Sequence, residues 1–360
     1  MSSVVGKRIS MRKLAELAGV SHMTVSLALR NHPSIAKETR ERIQRIADAQ
    51  NYRPDPMVAR VMSKLRFESA GGHVLGYITQ FGDFPWLSHR VYGAVFRGAS
   101  KAAETLGYKM EVFEVGKKGL SGARLRQILY TRAISGLIVV SNPEHMGHIS
   151  FDLTPFSVVQ LGTGIVRPVL HRVTSHAPHN LEMALRALRR AGAGRIGLVM
   201  DRRVDTLNEH AWSATLSTFQ QAVPAMNRVP ALISEDLNFA CFKKWFQRHR
   251  PDGIACIESR MLEWIAELGL RSPEEVQVVA LDLHPSDQGF AGINQNHERI
   301  GSTALEMLLG QIYVNEKGIP EVARTTMIDG SWVDGPSCLY SSVKQKTNRA
   351  RNRTGSVLEN

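Results

Sequence analysis

The sequence predicts an all-α head containing a helix-turn-helix, followed by an α/β body of two doubly wound parallel-sheet lobes. Three observations predict this fold class. Apolar residues between positions 11 and 50 recur at helical spacing and are broken by short turns. From residue 72, apolar runs of strand length alternate with helical stretches. The chain of 360 residues is also longer than one hydrophobic core usually serves.

The net charge of +12 is concentrated at the two ends of the chain. Residues 1–68 carry +7, residues 341–360 carry +4, and the remaining 272 residues carry only +1. Clustered positive charge is typical of proteins that bind a polyanion, above all nucleic acid. For the tail, predicted to be disordered over 336–360, solubility explains the charge equally well.

Composition and motifs exclude several classes of protein. No run of eighteen apolar residues and no secretory signal is present, so we expect a cytoplasmic protein without a membrane partner. No nucleotide-binding glycine loop, nucleophile elbow or zinc-protease motif occurs. We therefore predict that the protein is not an enzyme and binds no cofactor. Three widely spaced cysteines suggest reduced thiols. We also predict no metal site, because the histidines of the body fit no ligand spacing: His171, His176, His179 and His210.

The first helix of the head is predicted from four apolar residues spaced i, i+3, i+4 and i+7: Met11, Leu14, Ala15 and Ala18. Gly19 then supplies a turn that can adopt positive φ. Ser21 is a favourable N-cap for a second helix over 22–30. A helix, a glycine turn and a short second helix form a helix-turn-helix, whose second helix enters the DNA major groove.

A third helix is predicted at about 37–50, starting at Ala36, which has no side chain that can cap it. "NYRPDP" ends this helix, and Asp55 with Pro56 starts a fourth, basic helix that runs to about residue 67. On the second helix, Met23 and Leu27 are expected to face outward. Apolar side chains there indicate a face that meets something other than water.

The stretch "SMRKLAELAGVSHMTVSLALRNHPSIAKETRERIQRIADAQNYRPDP" resembles the DNA-binding head of the lactose-repressor (LacI/GalR) family of bacterial transcription regulators. The resemblance rests on these positions: Leu14, Ala15, Ala18, Gly19, Val20, Ser21, Thr24, Val25, Ser26, Leu29, Asn31, Thr39, Arg40, Ile43, Tyr52 and Pro54. It implies a sequence-specific regulator that binds double-stranded operator DNA.

The resemblance also assigns roles within the head. His22 and Met23 match the positions that touch base edges, and Tyr52 matches a contact to the DNA backbone. Leu27 stands where members often carry Arg, a bidentate reader of guanine, so this chain is expected to read part of its site by apolar contact. Four further residues match positions that hold phosphates or the entry of the helix into the groove: Ser21, Thr24, Ser26 and Asn31. Arg30 is also expected to face outward.

Residues 55–65 match the family's hinge helix, which pairs with a second copy in the minor groove and inserts an apolar wedge. The wedge here is Val61 or Met62, with Leu65 as a further alternative, because an extra proline in "DPMVARVM" shifts the register.

The resemblance continues to about residue 335 and implies two periplasmic-binding-protein-like subdomains joined by three crossovers. The expected units are a head (1–54), a hinge helix and linker (55–71), a body (72–335) and a tail (336–360). Lobe 1 is expected at about 72–172 plus 289–318, and lobe 2 at about 173–288 plus 319–335. Ligand then binds in the cleft between the lobes.

Five side chains are predicted to line that cleft, from family matches and from loops that follow strands: Trp86, Asn208, Trp212, Glu258 and Asp282. Three of them have a plainer alternative. Both tryptophans suit a packing role, and Asp282 suits a helix cap as well as a ligand hydroxyl.

Three functions fit the sequence. The first is a homodimeric repressor of the cytoplasm and nucleoid, controlled by a small-molecule effector, most simply a sugar. The second is a small-molecule binding or sugar-processing protein with an incidental basic head. The third is a sequence-blind DNA-binding protein whose lobes only dimerise it.

Overall fold

The computed structural model describes residues 9–29, 35–50, 52, 74–116, 119–140, 142, 146–284 and 287–340. Several sequence predictions therefore lie outside the described residues: the roles of Arg30 and Asn31, the hinge helix with Val61 and Met62, and the tail beyond residue 340. Among the described residues, no helix combines the length and hydropathy that a membrane crossing needs.

Eleven α-helices are formed by the described residues, in chain order α1 (Met11–Ala18), α2 (His22–Ala28), α3 (Lys37–Ala49), α4 (Arg90–Thr105), α5 (Gly122–Thr131), α6 (Ala177–Arg190), α7 (Arg202–Leu207), α8 (Ala211–Gln221), α9 (Phe239–His249), α10 (Met261–Glu267) and α11 (His297–Val314). A 3₁₀ turn spans Ala225–Asn227.

Fourteen strands accompany these helices, β1 (Val74–Thr79), β2 (Lys109–Glu114), β3 (Gly136–Val140), β4 (Gly147–His148), β5 (Ser157–Leu161), β6 (Ile165–Arg167), β7 (His171–Ser175), β8 (Ile196–Asp201), β9 (Leu232–Ser234), β10 (Gly253–Cys256), β11 (Gln277–Ala280), β12 (Ala291–Asn294), β13 (Thr325–Ile328) and β14 (Ser331–Val333).

The head is a three-helix unit around a small core. Leu14 from α1, Val25 and Ala28 from α2, and Ile43 from α3 are fully buried against one another. Gly19 ends α1 at a φ of 63°, a conformation that glycine adopts without a steric cost. The predicted helix-turn-helix is therefore confirmed.

Helices α2 and α3 of the head differ in whether a side chain caps their N-terminus. The Ser21 hydroxyl accepts a hydrogen bond from the Thr24 N–H at 3.0 Å, which confirms the predicted cap of α2. Ala36 precedes α3 without any side-chain cap, also as predicted. The missing cap costs α3 about 1 kcal/mol.

Lobe 1 is built on a parallel sheet in the order β13-β7-β5-β3-β1-β2. Lobe 2 has the order β14-β12-β11-β10-β8-β9, parallel except where β14 runs antiparallel to β12. Central strands such as β3 and β10 are buried along their whole length, as strands covered by helices on both faces must be. The predicted fold class is confirmed.

The chain passes between the lobes three times, at boundaries that differ from the predicted ones. The first crossover is residue 176, because β7 continues lobe 1 to residue 175. The second is 295–296, because β12 pairs with β11 and so belongs to lobe 2. The third is 329–330, because β13 pairs with β7 in lobe 1. Hydrophobic runs could not show which sheet a short strand joins.

The predicted start of the tail, residue 336, lies too early in the chain, because the residues that follow it pack in lobe 2. The Ser337 hydroxyl donates to the Val278 carbonyl at 2.7 Å, and the Ala291 N–H donates to that hydroxyl at 2.8 Å. Ser337 and Cys338 are buried. Residues up to 340 are therefore part of lobe 2.

Two glycines let α4 and α11 touch backbone to backbone in lobe 1. A Cβ added to Gly98 would lie 1.9 Å from the Glu298 carbonyl oxygen, and one added to Gly301 would lie 1.9 Å from that of Val95. No side chain larger than hydrogen fits this contact. Since α11 follows the second crossover, the contact fixes the returning chain to lobe 1.

We expect Gly301→Ala to lower the free energy of unfolding by about 1–3 kcal/mol, because the added methyl forces two backbones apart. Gly310→Ala is the matched control on the same helix, since its Cβ would meet no atom within 4 Å. The control should be neutral or stabilising by up to about 1 kcal/mol. Urea unfolding followed by circular dichroism measures both, and equal effects of the two changes would contradict the close contact.

Candidate DNA interface and ligand cleft

Helix α2 buries one side and exposes the other. Val25 and Ala28 face the core of the head, whereas His22 and Met23 are exposed, Met23 to 66%. Ser26 and Leu27 are half-buried at the edge of this exposed side. Leu17 on α1 adds a second exposed apolar side chain, at 47%. The head thus presents apolar surface although its core is full.

The hydroxyls at the start of α2 are joined to one another. The Ser21 and Thr24 hydroxyl oxygens lie 2.8 Å apart, and Ser21 is exposed. The Thr24 N–H is already bonded to Ser21, and the other N–H groups of the first turn favour an anion, so this end of α2 suits a DNA phosphate. Tyr52 packs against the head core, and its N–H donates to the Ala47 carbonyl at 2.9 Å.

A cavity of about 560 Å³ lies between the two lobes, at the carboxyl ends of their strands. Its apolar lining comes from Phe84, Val140, Leu161, Val204, Leu207, Trp212, Ile257 and Ile300, among others. Polar and charged side chains interrupt this lining from both lobes. Of the five predicted cleft residues, the structure places four here: Asn208, Trp212, Glu258 and Asp282.

Asp282 is the centre of a charged network that bridges the lobes. It follows β11 in lobe 2 and is only 7% exposed. The His297 Nε2 atom of lobe 1 lies 2.7 Å from its Oδ1, and the Arg90 Nε of lobe 1 lies 3.7 Å from its Oδ2. Arg90 also reaches Asp287 of lobe 2 at 3.1 Å. The carboxylate is therefore held by partners from the opposite lobe.

The network sets the charges in the cleft. Burial alone would raise the pKa of Asp282, but the charge and hydrogen bond of His297, together with Arg90 and His89, lower it below its ordinary value. Burial lowers the pKa of His89, and the Arg90 charge lowers it further. Asp282 is thus ionised at neutral pH, so the hydrogen-bonded His297 Nε2 carries a proton.

Two buried nitrogens on the cavity lining have no hydrogen-bond partner among the described residues. They are Trp212 Nε1 and His297 Nδ1. An unpaired buried polar group costs free energy that a ligand oxygen or nitrogen can recover. Trp212 is only 1% exposed, so it fills the core of lobe 2 as well as lining the cavity.

A strained turn between α7 and α8 fixes Asn208 at the cavity. Glu209 and His210 both adopt positive φ, at 55° and 60°. The buried Asp205 carboxylate stabilises the turn, because it accepts from the Ser213 N–H at 3.1 Å and from the Ser213 hydroxyl at 2.8 Å. The Asn208 amide donates to the Val204 carbonyl at 2.7 Å.

The other acids of the cleft are neutralised within lobe 2. Glu258 accepts from the Arg260 Nε at 3.1 Å and from the Arg260 N–H at 3.0 Å. Asp201 accepts from Arg203 through two bonds of 3.0 Å. With these pairs formed, the lining has little uncompensated charge, which favours a neutral polar ligand over an ion.

The structure does not place Trp86 on the cavity. Its ring stacks on Tyr77 at 5.8 Å and packs edge-on against Phe96 at 5.2 Å. Trp86 therefore packs in the aromatic core of lobe 1, which agrees with the packing role given as its alternative. Phe84 lines the cavity instead.

Sequence reasoning missed His89, Arg90 and His297, which line the cleft from lobe 1. A signal for each was present. His89 caps α4 and Arg90 begins it, and His297 begins α11 directly after the second crossover. Helix starts that face the carboxyl ends of parallel strands are where such sheets bind ligands.

Two family models match the chain. Residues 10–55 match "Bacterial regulatory proteins, lacI family", and residues 185–338 match "Periplasmic binding protein-like domain". The first covers the helix-turn-helix and the second covers most of lobe 2. The chain thus carries a LacI-family helix-turn-helix head and a periplasmic-binding-protein-like domain. It is a DNA-binding transcriptional regulator, and its relatives are regulators rather than enzymes.

Two curated relatives align over most of the chain, and a third aligns over a short segment only. The HTH-type transcriptional repressor PurR of Haemophilus influenzae (strain PittEE) is 20% identical over 333 residues, covering 88% of this chain and 94% of that protein. The sucrose operon repressor of Pediococcus pentosaceus is 22% identical and covers 83% and 87%. The regulator IdnR of Escherichia coli (strain K12) is 50% identical over 48 residues, 13% of this chain and 14% of IdnR.

Solved structures share the fold. The Lac repressor bound to ONPG in its repressed state aligns with a TM-score of 0.55 at 19% identity, covering 92% of this chain and all of that one. The complex of the regulator CelR with cellobiose aligns with a TM-score of 0.53 at 16% identity, with the same coverage.

We expect Leu27→Arg to change the base preferred at one position of each half-site towards guanine, by roughly 1–3 kcal/mol, because a guanidinium reads guanine through two hydrogen bonds. Binding to a randomised DNA pool, followed by sequencing, measures the preference. Leu17→Arg is the control, since it adds the same charge on α1. A Leu27→Arg variant with the wild-type preference would show that residue 27 does not face the groove.

Proposed function

We propose that this LacI-family regulator is a homodimeric repressor that binds a near-palindromic operator, in the cytoplasm at the nucleoid. The physical support is the size of its reading element. Helix α2 has only seven residues, and a single short helix contacts few base pairs. Two copies related by a twofold axis double those contacts. One of the similar solved structures is named as a Lac repressor dimer bound to operator.

The base-reading roles of His22, Met23 and Leu27 and the phosphate roles of Ser21, Thr24 and Ser26 belong to this proposal, as does the backbone contact of Tyr52. Their support is exposure and position on α2 and its start. Because Met23 and Leu27 carry no donor, they discriminate bases through contact with thymine methyl groups. Phosphate contacts from the basic head provide the salt-dependent remainder of the affinity.

The cavity between the lobes is proposed to bind a small neutral polar effector, most simply a sugar. The observation that carries this proposal is the combination of an apolar lining, internally paired acids and the two unpartnered nitrogens of Trp212 and His297. Hydroxyl oxygens suit both nitrogens, since a hydroxyl donates or accepts as its partner requires. The sucrose operon repressor and the CelR–cellobiose complex are named for sugars.

Effector binding is proposed to control DNA affinity through the relative position of the lobes. The lobes make direct contacts that effector binding can strengthen or replace: Asp282 with His297, Arg172 with Glu209 at 2.8 Å, and the Thr163 hydroxyl with the Leu207 carbonyl. A ligand shifts the lobes only if it binds one arrangement more tightly than the other. Head and lobe 1 are adjacent in the chain, so lobe movement reaches the DNA-binding unit.

The full chain tests the repressor proposal directly. Sedimentation should show a dimer, and selection from random DNA should give a palindromic site bound at least about a thousandfold more tightly than random DNA. A specificity ratio near one would instead support a sequence-blind binder. A monomer with no specific site would leave only a small-molecule binding protein.

The effector proposal predicts that sugars, screened by thermal shift against the full chain with purine bases for comparison, include one that raises the melting temperature. Trp212→Phe should weaken binding of that compound by about 1 kcal/mol, roughly fivefold, because it removes one donor. Trp332→Phe is the control, since its indole N–H already donates to Asp334 at 2.8 Å. Equal affinity of the Trp212 variant and wild type in calorimetry would contradict a ligand bond to Nε1.

A further inference from the structure

The three crossovers between the lobes meet at Asp329. In the third crossover, the Asp329 Oδ1 lies 2.7 Å from the Nδ1 of His176, the first crossover residue. From the second crossover, the Asn296 amide donates to the Asp329 carbonyl at 2.9 Å. One residue of each crossover therefore contributes to a single cluster where the two lobes are connected.

A second histidine completes this cluster. His179 lies one turn after His176, and the two rings stack with centroids 5.4 Å apart. One ligand atom each of His176, His179 and Asp329 lies within 4.8 Å of the others. None of the three lines the effector cavity. The cluster is thus separate from the proposed effector site.

Backbone contacts hold the two segments that carry these side chains. Strands β7 and β13 pair in parallel with Ser175 opposite Ile328. The His176 N–H donates to the Ile328 carbonyl at 3.0 Å, and the Gly330 N–H donates to the Asn180 side chain at 2.8 Å. The side chains are therefore brought together by the fold itself, which preorganises a binding site.

We propose that His176, His179 and Asp329 bind a divalent transition-metal ion of the zinc class. Imidazole nitrogen and carboxylate oxygen are the ligands of such ions, at about 2.0–2.2 Å from the metal. Tetrahedral binding places ligand atoms about 3.3 Å apart, which side-chain rotation reaches from the present spacing. Three protein ligands leave the fourth position to water.

The electrostatics of the cluster suit a cation. Asp329 supplies a carboxylate, and its Oδ1 already pairs with the His176 Nδ1 at 2.7 Å. Zinc takes the place of the proton between Nδ1 of His176 and Oδ1 of Asp329, and that proton leaves to solvent.

A bound ion has a structural consequence that the proposed effector does not share. It joins the first and third crossovers through side chains, where the ligand-free chain has one hydrogen bond between these two side chains. Binding to the folded state alone raises its stability by mass action. Zinc thus favours one position of the lobes relative to each other, whatever occupies the cleft.

The test titrates the metal-stripped full chain with Zn²⁺ against a chromogenic zinc chelator and follows its melting temperature. We expect one equivalent of zinc to bind and the melting temperature to rise, reversibly with EDTA. His179→Gln should weaken zinc affinity by more than the roughly tenfold that loss of an outer-shell partner costs. His148→Gln, an exposed histidine away from the crossovers, is the matched control and should bind as wild type.

Asp329→Asn should weaken zinc binding in the same way, and circular dichroism checks that each variant folds. Absence of zinc binding to the wild type would overturn the proposal. So would wild-type zinc affinity in folded His179→Gln and Asp329→Asn, because the ion would then lie elsewhere, for example at Cys241. Neither result depends on DNA or effector binding.

Discussion

The buried carboxylate of Asp282 is the constraint on which the arrangement of the lobes depends. A charge that is only 7% exposed is tolerated because His297 and Arg90 pair with it, and both come from the other lobe. Separating the lobes removes these partners and exposes the carboxylate to water, so closure and solvation of this one group are coupled. A neutral ligand adds to the network without adding charge. In the proposed effector control, lobe closure is therefore an electrostatic equilibrium that ligand contacts can bias.

Two features make that equilibrium act on whole lobes and not on loops. Gly98 and Gly301 bring α4 and α11 into backbone contact, so the helix that starts with His297 cannot shift independently of lobe 1. The three crossovers meet at Asp329, so the chain segments that connect the lobes are held together at one place. The crossover cluster includes Asn296 and the Asp282 network includes His297, so the proposed ion and the proposed effector would both act on the start of α11.

Sequence patterns predicted the parts of the structure that local chemistry decides. The helix-turn-helix, the Ser21 cap, the uncapped α3 and the alternation of strands and helices each follow from spacing within one segment. The crossover boundaries were wrong because the sheet that a short strand joins is decided by its partner strands, β11 and β14 for β12 and the remote β7 for β13. Trp86 was misplaced for a similar reason, since Tyr77 and Phe96 compete with the cleft for its ring. Clefts form between elements remote in sequence, so single segments do not show them.

The same reasoning explains why the reading face could be recognised before the cleft. Met23 is exposed on a helix whose core positions are already filled by Val25 and Ala28, so its exposure follows from α2 alone. Exposed Met23 and half-buried Leu27 lose apolar contact with water only when a partner covers them. In the proposed reading face, which has Leu27 and no guanidinium at that position, base discrimination depends on methyl contacts and groove shape, which supply no bidentate hydrogen bonds. A head of this kind depends more on a second copy for specificity, which is the physical argument for the dimer.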